Sequence, residues 1–259
     1  MLADMSLHRY VPFAPSIVVG GYTLDSYLIF FNPVEAYLRV LYDTLAISLY
    51  SVVLTILLGF SIAHFLARTK HVRMRKLVMS ITIASFFTGT LVRVYSWVIM
   101  LGQGGVVNTV LYALGFERLR LIGTDTAIIL GLIHSSLSLA ILVLVGSIRN
   151  VDPSVEQAAW TLGADPITTF IRITLPLSMP GILAAFVILY AWDATAFLVP
   201  MILGAGTHLF IANLIYDKFM STTNFPMGSA ISVVFILISL LFFSLSSALA
   251  KKLGRTTHD

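Results

Sequence analysis

Five apolar stretches in this chain are each long enough to cross a bilayer. They run from about Thr44 to Ala67, Leu77 to Leu101, Thr126 to Ile148, Leu177 to Leu203 and Ser229 to Ala250. A hydrocarbon core of about 30 Å takes about 20 helical residues. In lipid, every backbone N–H and C=O needs a partner within a helix or a closed barrel. The stretches are continuous and lack the polar–apolar alternation of barrel strands, so they are predicted to be helices. Charged residues make up 11% of the 259 and apolar residues 58%; a soluble domain carries about a quarter charged residues. The fold class is therefore an all-α membrane protein, a polytopic bundle of about five transmembrane helices.

The cations set the orientation. The connector Arg68 to Lys76 holds five Lys/Arg in nine residues; Lys251, Lys252 and Arg255 follow the last span, and Arg149 and Arg172 flank the polar segment between the third and fourth. The opposite loops carry Arg118, Arg120 and Lys218. Positive residues collect on the cytoplasmic side, so the connector, the polar segment and the C-terminus are expected there. That distribution accounts for the net charge of +4 with membrane lipid as partner and no nucleic acid. With five spans, residues 1–43 form an external N-terminal segment. Residues 44–259 form the membrane domain, with a cytoplasmic loop over 149–176. The apolar piece Tyr10 to Tyr22 contains two prolines and two glycines and is too short to span.

Several chemistries are excluded. There is no cysteine, and the six histidines show no metal-ligand spacing. No phosphate-cradling P-loop and no nucleophile elbow is present. No catalytic and no metal residue is assigned.

The polar segment itself is highly patterned. Asp152-Pro153 and Asp165-Pro166 each place a capping acid before a proline suited to the first helical position. Gly163 lies between them, where a helix end favours positive φ. Two short helices joined by a tight turn are predicted, with Pro176 closing the second. This is an elbow shaped for another protein to grip.

Within the spans the costly residues are Arg93 and Asp193, each about 2.5–3.5 kcal/mol at a helix centre. Two readings stand. They neutralise each other, with Arg93 also placed to snorkel, or Asp193 with Tyr190, Trp192, Tyr95 and Trp97 lines a path suited to an alkylammonium through charge and cation–π attraction. His64 and His134 are also embedded, and His134 reads as hydrogen-bonded to a neighbouring helix rather than as a proton relay. His208 to Phe219 reads as an external amphipathic segment, flat at the interface or re-entrant.

The elbow resembles the EAA loop of permeases of binding-protein-dependent ABC importers, the type I, MetI-like class. Ala158, Ala159, Gly163, Ile173, Leu175 and Pro176 fall in register; Gln157 stands where the pattern has Glu, with Glu156 beside it. The resemblance implies that Glu156, Gln157, Ala158, Ala159, Gly163, Phe170, Ile173, Leu175 and Pro176 couple to an ATPase. Leu91 to Trp97, Leu101 to Asn108 and Asn224 to Ser232 are similar to spermidine/putrescine permeases. Opine and aminophosphonate permeases share that subfamily, and Arg93 suits an anion. The family's first helix is not visible here, because Tyr22 to Tyr27 and Asn32 to Glu35 resemble the external loop that follows it.

The implied protein is a permease subunit in a bacterial inner membrane. Its implied partners are a cytoplasmic ABC ATPase dimer, a second homologous permease subunit and an external or periplasmic solute-binding protein. The chain itself is not an enzyme and holds no cofactor, ATP and Mg being bound by the partner ATPase. A secondary transporter would show inverted repeats in a longer chain, and a membrane scaffold would need neither a polar path nor the elbow spacing.

Overall fold

The computed structural model describes residues 1–10, 21–32 and 36–255, with side chains to residue 246. Most of Tyr10 to Tyr22, the Pro33–Glu35 segment and the side chains of Lys251, Lys252 and Arg255 lie outside the described residues. In chain order the helices are α1 Leu2–Met5, α2 Asp25–Phe30, α3 Tyr37–Arg68, α4 Val72–Phe87, α5 Thr90–Leu101, α6 Val106–Ala113 and α7 Asp125–Arg149. They continue as α8 Pro153–Thr161, α9 Pro166–Thr169, α10 Leu175–Leu177, α11 Met179–Ala194, α12 Leu198–Leu203, α13 Ile211–Tyr216 and α14 Phe225–Arg255. Two π-helical turns, Phe170–Thr174 and Asp217–Ser221, interrupt the series. No strand occurs among the described residues; one isolated bridge joins His8 and Tyr22.

Four stretches are long and apolar enough to cross a membrane: Tyr37–Arg68, Thr90–Ala113, Asp125–Arg149 and Phe225–Ser246. A fifth is the pair Pro166–Leu177 and Met179–Ala194, bent by 65°. The first, third and last match the sequence prediction closely. The other two are corrected.

The predicted span Leu77–Leu101 is divided at Thr88-Gly89. Thr88 turns extended (ψ 127°) and its hydroxyl donates to Ala84 O at 3.0 Å. Thr and Gly are poor helix formers, and the hydroxyl competes for a backbone carbonyl. The predicted Leu177–Leu203 span is interrupted at both ends. Pro180 has no N–H to continue the ladder past Ser178, so the bend falls there and not at Pro176. At the other end the helix stops at Ala194 and restarts at Leu198, where Pro200 sits in the first turn, the position a proline tolerates.

The chain divides into two compact units. The first comprises Met1–Tyr50, Thr90–Leu132 and Ala194–Phe242. One of its cores gathers Ile47, Val94, Leu101, Ile128, Val199 and Phe210. Where α11 and α12 part, Asn213 Nδ2 donates to Phe197 O at 3.0 Å while its Oδ1 accepts from Phe210 N–H at 3.0 Å. The break thus leaves no orphan at Phe197, as buried backbone requires. The same device makes the expected amphipathic segment after His208 a packed piece, with Phe210, Ile211 and Asn213 buried.

The second unit comprises Ser51–Gly89, Ile133–Asp193 and Phe243–Asp259. Its helices approach closely at small residues. A Cβ on Gly59 would lie 3.2 Å from Ala140 Cβ, and one on Gly181 would collide with Ser147. Without a hydrophobic drive between helices in lipid, such close contacts carry the packing.

Candidate functional site

The elbow lies wholly in the second unit, and its geometry follows from its sequence. Asp152 caps α8 by accepting from Ser154 N–H at 2.8 Å; Asp165 caps α9 by accepting from Ile167 N–H at 3.1 Å and Thr168 N–H at 3.2 Å. These bonds hold both carboxyls below the ordinary range, from Ser154 N–H for Asp152 and from Thr168 hydroxyl and N–H for Asp165. Between the caps, Ala164 N–H donates to Ala159 O and Gly163 N–H to Trp160 O, both at 3.0 Å. That pair of bonds, with Gly163 at φ +89°, is a Schellman turn. The second arm widens into the π turn because Pro176 offers no N–H to Arg172 O; Leu175 N–H reaches back to Phe170 O instead.

Glu156 closes the elbow from within. Its Oε1 accepts from Arg68 Nε at 3.0 Å, Arg68 Nη2 at 2.9 Å and Thr174 Oγ1 at 2.7 Å. Arg68 Nη2 also donates to Val151 O at 2.9 Å. The carboxylate side chain is 5% exposed and the guanidinium side chain 16%. One acid therefore ties the first arm of the elbow (α8) to the second arm (Thr174) and to the last residue of α3. Phe170 reinforces the joint with edge-to-face contacts to Phe60 at 5.5 Å and His64 at 5.0 Å.

The predicted coupling residues separate into two groups. Glu156 and Ala159 are buried, and Phe170, Ile173 and Leu175 half-buried, so they shape the elbow. Gln157, Ala158, Gly163 and Pro176 face outward. Around the turn three apolar side chains stand exposed: Trp160, Leu162 (89% exposed) and Ile167. Sequence reading missed these three, although bulky apolar residues flanking a glycine turn in a polar loop were the available signal. It also missed Arg68 and Thr174 as partners of Glu156. Arg68 is 88 residues away, and no local pattern shows such a pairing.

The embedded candidates fall in different units. In the first, Arg93 is buried, Tyr95 exposed and Trp97 packed against the core. In the second, Tyr190 is buried and stacked on Phe186 at 6.1 Å, while Trp192 is exposed. Asp193 is 0% exposed, and no described donor reaches either carboxylate oxygen. The hydroxyls of Ser51 and Ser136 face it without closing to hydrogen-bond geometry. No cluster of three potential metal ligands occurs among the described residues.

Comparison with known proteins supplies the family of this helical chain. Residues 52–255 match the family described as "Binding-protein-dependent transport system inner membrane component". The chain belongs to this family. It is 32% identical over 224 residues to the spermidine/putrescine transport system permease protein PotB of Haemophilus influenzae, covering 85% of this chain and 77% of that one. It is 32% identical over 243 residues to PotB of Escherichia coli K12, covering 92% and 87%. A solved bacterial ABC transporter that imports the acidic polysaccharide alginate shares the fold, with a TM-score of 0.80, 19% identity, and coverage of 97% of this chain and 88% of that one.

Proposed function

We propose that this chain is the permease subunit of an ATP-driven importer of polyamines such as spermidine and putrescine, with its C-terminus in the cytoplasm. The observation that carries the coupling role is the elbow: a rigid, internally clamped lever that presents Trp160, Leu162 and Ile167 to water. Exposed apolar side chains on a loop too polar for the bilayer fit the surface of a protein partner. An ABC ATPase dimer is that partner. A binding protein on the outer face delivers the substrate, as the family's description implies, and a second permease completes the pathway. ATP and Mg bind in the ATPase.

In operation, closure of the ATPase dimer pulls the elbow. Because Glu156 joins the elbow to α3 through Arg68, the pull is delivered to a spanning helix and not dissipated in a loop. Small-residue contacts such as Gly181 against Ser147 let helices move as packed bodies. The polyamine assignment draws support from the likeness to the PotB proteins. Asp193, buried in the second unit with Tyr190 one helical turn before it, is the carboxylate that would meet an ammonium group when the bundle opens. No covalent chemistry on the substrate is involved.

The test is reconstitution with the ATPase, the second permease and the binding protein, measuring uptake of labelled spermidine, alginate oligosaccharide and an aminophosphonate. ATP-dependent spermidine uptake alone is expected. Uptake of another class in its place would overturn the substrate assignment, and ATP-independent uptake would overturn the importer reading.

A further inference from the structure

The short link after α3 and the first turns of α4 carry a cluster of cations that forms no ion pair among the described residues. Lys70, Arg73, Arg75 and Lys76 fall within seven residues. Lys70, Arg73 and Lys76 are exposed and Arg75 is half-buried, and the apolar Val72, Met74 and Leu77 among them are exposed. Side chains of both kinds on one short segment suit the boundary between headgroups and acyl chains, where the apolar residues enter and the cations stay at the phosphates. The segment continues directly from the spanning helix α3, whose last residue is Arg68. Clusters of Lys and Arg just cytoplasmic of a spanning helix attract anionic lipid.

What sets this surface apart from an ordinary positive flank is its neighbour. Arg68, one residue before Thr69-Lys70, does not face lipid: it is turned into Glu156 and Val151 O and thereby holds the elbow. We infer that the segment Lys70–Lys76 binds anionic phospholipid headgroups, and that this binding steadies the end of α3 so that the Arg68–Glu156 joint transmits force from the ATPase. The second half of the inference rests on the elbow being the ATPase contact.

The experiment uses the assembled transporter in nanodiscs of phosphatidylcholine alone or mixed with phosphatidylglycerol. The chain carries either Gln or Lys at all four positions Lys70, Arg73, Arg75 and Lys76. Co-purified phosphatidylglycerol is counted by mass spectrometry and substrate-stimulated ATP hydrolysis is measured. Wild type and the all-Lys variant are expected to retain phosphatidylglycerol and to hydrolyse ATP faster with it. The all-Gln variant is expected to lose about tenfold or more in lipid affinity and to hydrolyse equally in both membranes. Equal lipid retention by all three overturns the site. Lost retention with an unchanged lipid dependence of hydrolysis overturns the link to the elbow. Failure of the all-Gln variant to assemble with the ATPase in either membrane shows a protein contact and also overturns the proposal. Hydrolysis by a Gly163→Val variant is the separate control: if it matches wild type, the elbow reading fails and the lipid site stands on its retention data.

Discussion

Arg68, the last residue of α3, meets Glu156 of α8 at 2.9 Å, and both side chains are largely withdrawn from solvent. The pair converts a surface loop into an extension of a spanning helix. Removing one member of such a pair leaves a charge without compensation, at a cost of about 3 kcal/mol. Glu156→Gln is expected to lower the melting temperature of the purified permease and to uncouple hydrolysis from uptake. Arg68→Met with Glu156→Leu is expected to regain much of the stability but not the coupling. Thermal melting and uptake of Glu156→Gln and of the double variant check both statements. Equal melting of Glu156→Gln and wild type would mean that the pair carries no strain-bearing role.

Gly163 is a test of backbone alone. A Cβ there would meet nothing within 4 Å, yet φ is +89°. A side chain is therefore opposed only by conformation, about 1–2 kcal/mol for an ordinary residue. The expected order of transport is wild type, then Gly163→Asn, then Gly163→Ala, then Gly163→Val, since Asn tolerates the left-handed region best. A flat series in an uptake assay would show that the turn is free to rebuild.

At Gly181 the opposite holds, because the obstacle is a neighbour. Gly181→Ala would drive a methyl into Ser147, with an overpacking cost of about 1–3 kcal/mol. Ser147→Gly removes both offending atoms and is expected to rescue Gly181→Ala. Melting of the two single variants and the double in detergent measures the coupling directly; simple additivity would refute the contact.

The caps give the elbow a pH dependence of known sign. Asp152 and Asp165 are held below the ordinary carboxyl range by the N–H and hydroxyl groups they accept from. Their contribution is complete above that range and is lost as pH falls through the lowered values. Protection of the elbow from proteolysis is expected to weaken on acidification below the ordinary Asp range. The double variant Asp152→Asn with Asp165→Asn is expected to lose part of that dependence. An identical pH profile in the variant would assign the effect elsewhere.

These features differ in how far they could be read from the chain. The caps, the glycine turn and three of the spans rest on contiguous residues whose local chemistry leaves few alternatives, so Asp152, Asp165 and Gly163 stand as the sequence predicts. The interruptions at Thr88-Gly89 and after Ala194 were masked by unbroken apolarity: hydropathy cannot distinguish one long helix from two short ones in the same lipid. The inward turn of Glu156 was hidden because its partner lies in another helix, and Arg68 by itself looks like any basic flank. Asp193 was legible as costly, but its complete burial beside Ser51 and Ser136 emerges only when three helices come together.

The central claim is that the elbow is the surface the ATPase grips, and the absence of native cysteine makes the decisive measurement simple. Single cysteines at Leu162 and Ile167, the exposed apolar tip, and at Tyr112, exposed in the first unit, are each crosslinked in assembled transporter in membranes. Crosslinks to the ATPase are expected from Leu162→Cys and Ile167→Cys, with yield changing between nucleotide-free and ATP-bound states, and none from Tyr112→Cys. No crosslink from either elbow position, or equal yield from Tyr112→Cys, would contradict that claim.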